Sequence, residues 1–430
     1  MDRFIFRNPN HLPTHFYNLK ADLEELPPPP LNPVTKNPLK PEELEVIFPR
    51  SFIAQEITRE RFIPIPAEVL EAYSIFRPTP LIYASKLMEY LETPARIFYK
   101  YEGVSPTGSH KTNTALMQAY LAKQDGIAAL STETGAGQWG SALSYAGSKF
   151  GLRIQVYMVR ASFRQKPGRR IMMEIFGGQV MESPSPTTEA GRKYYAENPD
   201  HPGSLGIAIS EAVEVAARNP EIKYSLGSVL DAVLLHQSII GLEAERQLQD
   251  LGLLPDVVVG CVGGGSNFAG LSFPFVRKTL KEKAAIKFIA VEPEACPSLT
   301  RGKLGYDHGD SVGLTPLLYM HSLGKDFIPP AIHAGGLRYH GMAPLVSHLV
   351  KKGTVEPRAY SQKAIFEAAK LFFKTEGILP APESAHAIAA VIDEALEARK
   401  TRKSPTILFN LSGHGFLDIN AYDPRNSNCV

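Results

Sequence analysis

The chain has 430 residues, 44% of them hydrophobic, with 46 Lys+Arg against 44 Asp+Glu; at about 100–200 residues per domain this predicts two or three domains with large buried cores. A net charge of +2 gives no electrostatic footing for nucleic acid or an anionic membrane, and three cysteines without a C-x-x-C pair (Cys261, Cys296, Cys429) fit a reducing compartment without structural zinc. The opening MDRFIFRNPNHLPTHFYNL lacks the pattern of a secretory signal, and no apolar run reaches the roughly 18–20 residues of a membrane span, so a soluble, cytoplasmic enzyme is expected.

The first 80 residues carry fourteen of the 35 prolines, including Pro27–Pro30. Proline fixes φ and removes a donor, which predicts extended chain with short helical turns. Its hydrophobic residues (Phe4, Phe6, Phe16, Tyr17, Ile47, Phe48, Phe52) predict that this extension packs on the body. From about residue 97 strands and helices alternate. Strands are predicted at 97–101, 127–131, 153–159 and 179–182, with helices at 112–123, 138–150 and 168–176 between them. Further on come a long helix at 234–251, a strand at 256–262, a helix from Asn267 and a strand at 286–291. Helices at 362–373 and 384–400 and a strand at 406–411 follow. Such alternation, with continuously apolar strands, predicts an α/β protein of two three-layer domains with mostly parallel sheets. The polar stretch 184–204 interrupts the rhythm as an insertion. The expected division is an extension over 1–80, an N-terminal α/β domain over 81–245 and a C-terminal α/β domain over 246–430.

Open α/β sheets bind ligands beyond the carboxyl ends of their strands, and three polar, glycine-rich segments fall there. In the first, Ser105–Asn113, Lys111 lies in the first turn of a helix. A lone lysine is usually a solvated surface residue, but the helix dipole disfavours a cation at this end, so a bound anion or covalent use of the amine is indicated. The second, Ser131–Trp139, presents backbone N–H groups over Thr134, Gly135, Ala136, Gly137 and Gln138 that suit a carboxylate or phosphate; a plain capped turn is the alternative. The third runs from Val257 into Gly263, Gly264, Gly265, Ser266 and Asn267, where backbone can approach a phosphate closely. It fits neither G-x-x-x-x-G-K-[ST] nor G-x-G-x-x-G.

These segments, with Thr375–His386 and Asn410–Gly415, occur in an order and spacing similar to those of the tryptophan synthase β chain, a pyridoxal-phosphate enzyme of fold type II, over about 77–418. The resemblance implies a cofactor in the cleft between the domains and a mobile substrate-closing subdomain at about 126–227. It implies that Lys111 holds pyridoxal phosphate as a Schiff base, that His110, Ser228 and Gly263–Asn267 bind its phosphate, that Ser412 faces the pyridine nitrogen and that Glu383 lies beside the ring. The Thr134–Gln138 turn would seat the substrate carboxylate, with Lys111 moving the α-proton and Glu133 assisting indole addition. No metal ligand set is implied beyond a monovalent cation, Na+ or K+, common in that family and built from backbone carbonyls. A homodimer is likewise implied.

Three departures stand out. Where the family carries Gly-Leu-Asp-Tyr, this chain has Gly336-Leu337-Arg338-Tyr339-His340. Arginine cannot accept a hydroxyl proton but matches an anion, so an anionic leaving group such as the phosphate of O-phospho-L-serine is expected, with Arg338 as clamp and His340 as helper. The alternative is a surface arginine paired with a carboxylate. Trp139 replaces a usual histidine and either walls the site or fills core. The extension and the 184–204 insertion resemble a divergent second group of β-like chains and count against a standard α-subunit complex, leaving free indole as co-substrate. The expected function is β-replacement giving L-tryptophan from indole and L-serine or O-phospho-L-serine. The competing readings are another fold type II lyase (a serine or phosphoserine dehydratase, or a cysteine synthase-like enzyme) and, more remotely, a non-catalytic binding subunit.

Overall fold

The computed structural model describes residues 8–423 and the backbone of the strand Phe4–Ile5; Phe6, the Phe4 side chain and Cys429 lie outside the described residues. A seven-stranded sheet has the order Phe4–Ile5, Leu81–Tyr83, Arg96–Tyr101, Thr406–Leu411, Val257–Cys261, Lys287–Pro293, Val355–Tyr360. Its first two pairings are antiparallel and the rest parallel. The central strands Val257–Cys261 and Thr406–Leu411 are buried throughout, as parallel strands covered on both faces must be. A second sheet is parallel, in the order Gln179–Ser183, Arg153–Val159, Ala129–Thr134, Ile222–Tyr224.

The 245/246 boundary does not separate the sheets. Arg96–Tyr101 lies between Leu81–Tyr83 and Thr406–Leu411, so the larger sheet draws on both ends of the chain. Strand alternation cannot reveal this, because it orders strands along the chain and not across a sheet. The helix expected over 234–251 is two, Asp231–Gln237 and Ile239–Gln249; at the junction the Ser238 hydroxyl donates to the Leu235 carbonyl and accepts from the Tyr17 amide. The stretch 184–204 contains the helix Glu189–Glu197, whose cap Thr188 accepts from the Gly191 amide. A hairpin of Lys303–His308 and Leu317–Ser322 has no counterpart in the sequence reading.

Within the N-terminal segment Phe16, Tyr17, Ile47, Phe48 and Phe52 are buried in the same core as the body. Leu31 exchanges both backbone hydrogen bonds with Leu317 of the hairpin, at 2.9 and 3.0 Å. Residues Pro27–Pro30 thereby cover an apolar chamber of about 460 Å³ floored by Phe48, Phe52, Tyr224 and Leu318. Among the described residues no helix is long and apolar enough to cross a membrane, and no cluster of metal-ligating side chains occurs.

Candidate active site

Four strand ends converge on one cleft. The strand Arg96–Tyr101 leads through Ser105–His110 into the helix Lys111–Gln124. Ala129–Thr134 leads into Gln138–Phe150, Val257–Cys261 into Ser266–Glu282, and Thr406–Leu411 into Ser412. The cleft wall carries His110, Lys111, Glu133, Thr134, Gly135, Ala136, Gln138, Ser228, Gly263–Asn267, Glu383 and Ser412. These residues are spread over some 300 positions, and most meet here because they lie at or just beyond the carboxyl end of a parallel strand; Glu383 comes instead from the first turn of the helix Pro382–Thr401.

Lys111 begins its helix, and its Nζ donates to the Gly227 carbonyl at 3.2 Å. Burial lowers its pKa to about 8, against the pull of the nearby Glu133 and Glu383 carboxylates. An appreciable share of the amine is therefore neutral near physiological pH. Trp139 is buried on the wall: its indole N–H donates to Thr132 Oγ1 at 2.6 Å, and its ring lies where a Cβ on Gly227 would come within 2.5 Å. The indole therefore leaves room for no side chain at residue 227, whose carbonyl accepts from Lys111.

Across the cleft, Glu133 is the penultimate residue of its strand. Tyr224 donates to its Oε2 at 2.6 Å. Burial raises its pKa to about 8, more than the Tyr224 bond and Lys111 lower it. Two groups of opposite charge type are therefore both poised near neutrality in one enclosed space.

The glycine turn is a backbone cradle. A Cβ on Gly263 would stand 2.5 Å from the Gly336 carbonyl oxygen, and one on Gly264 2.5 Å from Ser228 Oγ; Gly265 has φ +101°. Ser228 Oγ also accepts from the Ser266 amide at 3.3 Å. Asn267 is fixed by its bond to the Cys261 carbonyl and by Asn410. His110 is buried, and burial with the neighbouring Lys111 charge lowers its pKa to about 3, so the ring is neutral. Its Nε2 has no hydrogen-bond partner. Glu383 Oε1 accepts from Gln138 Nε2 and the Gly336 amide, while its Oε2 has none. Ser412 Oγ lies 2.7 Å from Ser384 Oγ. A partly neutral amine, a glycine cradle and unclaimed polar atoms on one wall fit a phosphorylated, aldehyde-bearing ring such as pyridoxal phosphate.

Not every expected site residue reaches the wall. Gly137 is set back, with φ +98° and Arg169 packed against it. Gly335, Gly336, Leu337 and Tyr339 line the cleft, but Arg338 and His340 do not. Arg338 donates to the Pro329 carbonyl at 3.1 Å, and His340 Nε2 pairs with the His308 carbonyl at 2.8 Å. Arg338 is no surface arginine either: it is 6% exposed, its Nε is unpartnered, and no carboxylate acts on its charge among the described residues. Tyr224 and Arg169 escaped sequence reading, because neither stands in a motif.

A family profile described as "Pyridoxal-phosphate dependent enzyme" matches residues 73–413. The chain is 61% identical over 414 residues to "Tryptophan synthase beta chain 2" of Thermotoga maritima, covering 96% of this chain and 98% of the relative. It is 59% identical over 426 residues to the protein of the same name in Aquifex aeolicus, covering 98% of each. Among solved structures, the processed form of threonine deaminase isoform 2 from Solanum lycopersicum aligns with TM-score 0.60 at 20% identity, covering 83% of this chain and 90% of that one. A fungal L-serine ammonia-lyase from Rhizomucor miehei aligns with TM-score 0.59 at 19% identity, covering 80% and 96%. These two likenesses speak to fold alone.

Proposed function

The chain belongs to the tryptophan synthase β-chain family of pyridoxal-phosphate-dependent lyases, and from that premise we propose that it joins free indole to Cβ of an amino-acid donor with an anionic leaving group, giving L-tryptophan. The observation that carries this reading is the pairing of Lys111 and Glu133 across one buried cleft, each with a pKa near 8.

Lys111 would hold the cofactor's aldehyde carbon, and Ser228, Gly263–Asn267 and His110 its phosphate. Ser412 would meet its pyridine nitrogen and Glu383 its ring. When bound, the cofactor supplies an electron sink for the pair left at the donor's Cα. Ser412 offers that sink a neutral hydroxyl, which favours elimination over transamination. The N–H groups of the Thr134–Gln138 turn seat the donor carboxylate. The Lys111 amine, freed when the donor's amine takes its place at the aldehyde carbon, would take the α-proton and return a proton to the departing group. Leu205, Ile209, Leu226 and Val229 on the wall keep water from the reacting carbon. Ionised Glu133, aimed by Tyr224, accepts the proton of the indole nitrogen as C3 attacks.

The chamber beneath Pro27–Pro30 shares Ile209, Leu226, Val229 and Tyr339 with the cleft, so a flat apolar molecule has a largely apolar approach covered by the chain's own extension. This supports free indole as the co-substrate; that the chain acts as a homodimer without a standard α subunit belongs to the same proposal and rests on the family resemblance.

The leaving group follows from Arg338. A buried guanidinium without a carboxylate is costly until an anion joins it, and Arg338 stands between two wall residues. O-phospho-L-serine is thus the favoured donor over L-serine, with Arg338 leaving the Pro329 carbonyl to meet the phosphate and His340 assisting. Steady-state kinetics should give O-phosphoserine a kcat/KM advantage of at least about tenfold, the scale of one charge-assisted hydrogen bond. Arg338→Ala should erase it. Equal use of both donors, or an unchanged preference in the variant, would refute the clamp.

Gly264→Ala tests the cradle. Its Cβ would displace the Ser228 hydroxyl, and cofactor retention measured by equilibrium dialysis should weaken by about tenfold or more, the loss of one hydrogen bond to a charged group. Unchanged retention would take Ser228 out of the cradle.

A further inference from the structure

Apart from Lys111, the cleft wall carries one lysine or arginine among the described residues, Arg169. It lies in the first turn of the helix Pro167–Ile175 and is 1% exposed. Its stem is pressed on the Thr134–Gln138 turn: a Cβ on Gly137 would come within 2.6 Å of Arg169 Cβ. Its guanidinium is poorly satisfied for so buried a group. One Nη stands 3.3 Å from Asp418 Oδ2, another 3.5 Å from the Thr107 carbonyl, and Nε has no partner. Charge-assisted bonds run near 2.7–2.9 Å. Asp418 is meanwhile taken at 2.6 Å by Lys166, itself buried, so two cations share one carboxylate.

Arg77 shows what a purely structural buried arginine looks like in this fold. Its Nε reaches Glu243 at 2.7 Å and an Nη reaches Glu102 at 2.9 Å and Asn113 at 2.8 Å. The two carboxylates offset its charge. Arg169 lacks that compensation and faces the cleft.

We propose that Arg169 is a carboxylate-recognition residue, taking the α-carboxylate of the amino-acid substrate and product together with the N–H groups of the Thr134–Gln138 turn. The excess positive charge between Lys166, Arg169 and Asp418 selects an anion, and contact with Gly137 places the arginine at the turn that seats a carboxylate. This rests on the reading of that turn given above. Removing Arg169 leaves Asp418 paired with Lys166, so no buried charge is stranded.

The test is equilibrium binding of L-tryptophan and of tryptamine, which lacks the carboxylate, to the holoenzyme. The wild type should prefer L-tryptophan. Arg169→Met should weaken L-tryptophan by at least about tenfold, the scale of a lost charge-assisted pair, with tryptamine binding and cofactor content unchanged. Arg169→Lys, which keeps the charge and loses the planar fork, should fall between them, and it carries the test if the methionine variant does not fold. If the wild type shows no preference, the carboxylate seat itself is refuted. If the preference survives in both variants, the seat stands and Arg169 has no part in it. Equal loss of both ligands would make Arg169 a packing residue, and loss of cofactor would assign it to the cofactor. An effect confined to the KM of O-phosphoserine would assign it to the leaving group. Each of these overturns the proposal.

Discussion

Replacing Lys111 by alanine should leave a folded protein without the near-ultraviolet absorbance band of a lysine-linked cofactor and without measurable tryptophan formation. The fold should survive because the side chain makes a single bond, to the Gly227 carbonyl at 3.2 Å, while its amine is held in a site that disfavours charge. Turnover should fall by at least roughly 10²–10⁴-fold for the lost proton transfer alone, with the lost covalent anchorage adding to it. The depressed folded-state pKa also makes a stability statement. The amine's favourable contribution is complete above its unfolded value and is lost as pH falls through about 8. The melting temperature of apo Lys111→Ala should therefore gain on that of the apo wild type as pH falls from 10.5 toward 8. A variant that keeps the band and turns over would remove Lys111 from the centre of the chemistry.

Glu133→Gln should have the second large effect, and a different one. Glutamine fills the same space but cannot take the indole proton, so tryptophan formation should drop by roughly 10²–10⁴-fold while loss of the donor's β-substituent continues. The product should shift from tryptophan to a 2-oxo acid. Because Glu133 acts as the ionised form and its pKa stands near 8, tryptophan formation should rise with pH through that region. Tyr224 holds the pKa down by donating to Oε2. Tyr224→Phe removes this preference for the carboxylate, so the acid limb should move to higher pH. A limb that stays put or moves down would show that another group governs it. Equal losses of tryptophan and 2-oxo acid in Glu133→Gln would mean that Glu133 serves the donor and not indole.

Much of this site was legible because its chemistry sits in contiguous segments. Gly263–Asn267, Thr134–Gln138 and Ser109–Lys111 each combine small or capping residues with a strand–helix change, and local pattern reports that directly. Gln138–Phe150 is bounded by the left-handed glycines Gly137 and Gly151, and Arg153–Val159 and Thr406–Leu411 end where apolar residues give way to polar ones. Ser238 does not look like a helix break, since its role depends on Tyr17, 221 residues away. The hairpin of Lys303–His308 and Leu317–Ser322 has no fully buried residue on its first strand and shows no apolar alternation there. Tyr224 and Arg169 act through contacts 91 and 32 positions distant, with no motif to mark them. Arg338 was visible as an arginine in place of an acid, but its position behind the wall was not, because side-chain direction in a loop follows from its neighbours in space.

The most direct measurement is the product balance of the purified holoenzyme given indole and O-phospho-L-serine, with L-tryptophan, 2-oxo acid and residual indole quantified together. Tryptophan should form in step with indole consumed, with 2-oxo acid as the minor product. Indole left untouched while 2-oxo acid and ammonia accumulate would contradict β-replacement and make this cleft that of a deaminating lyase.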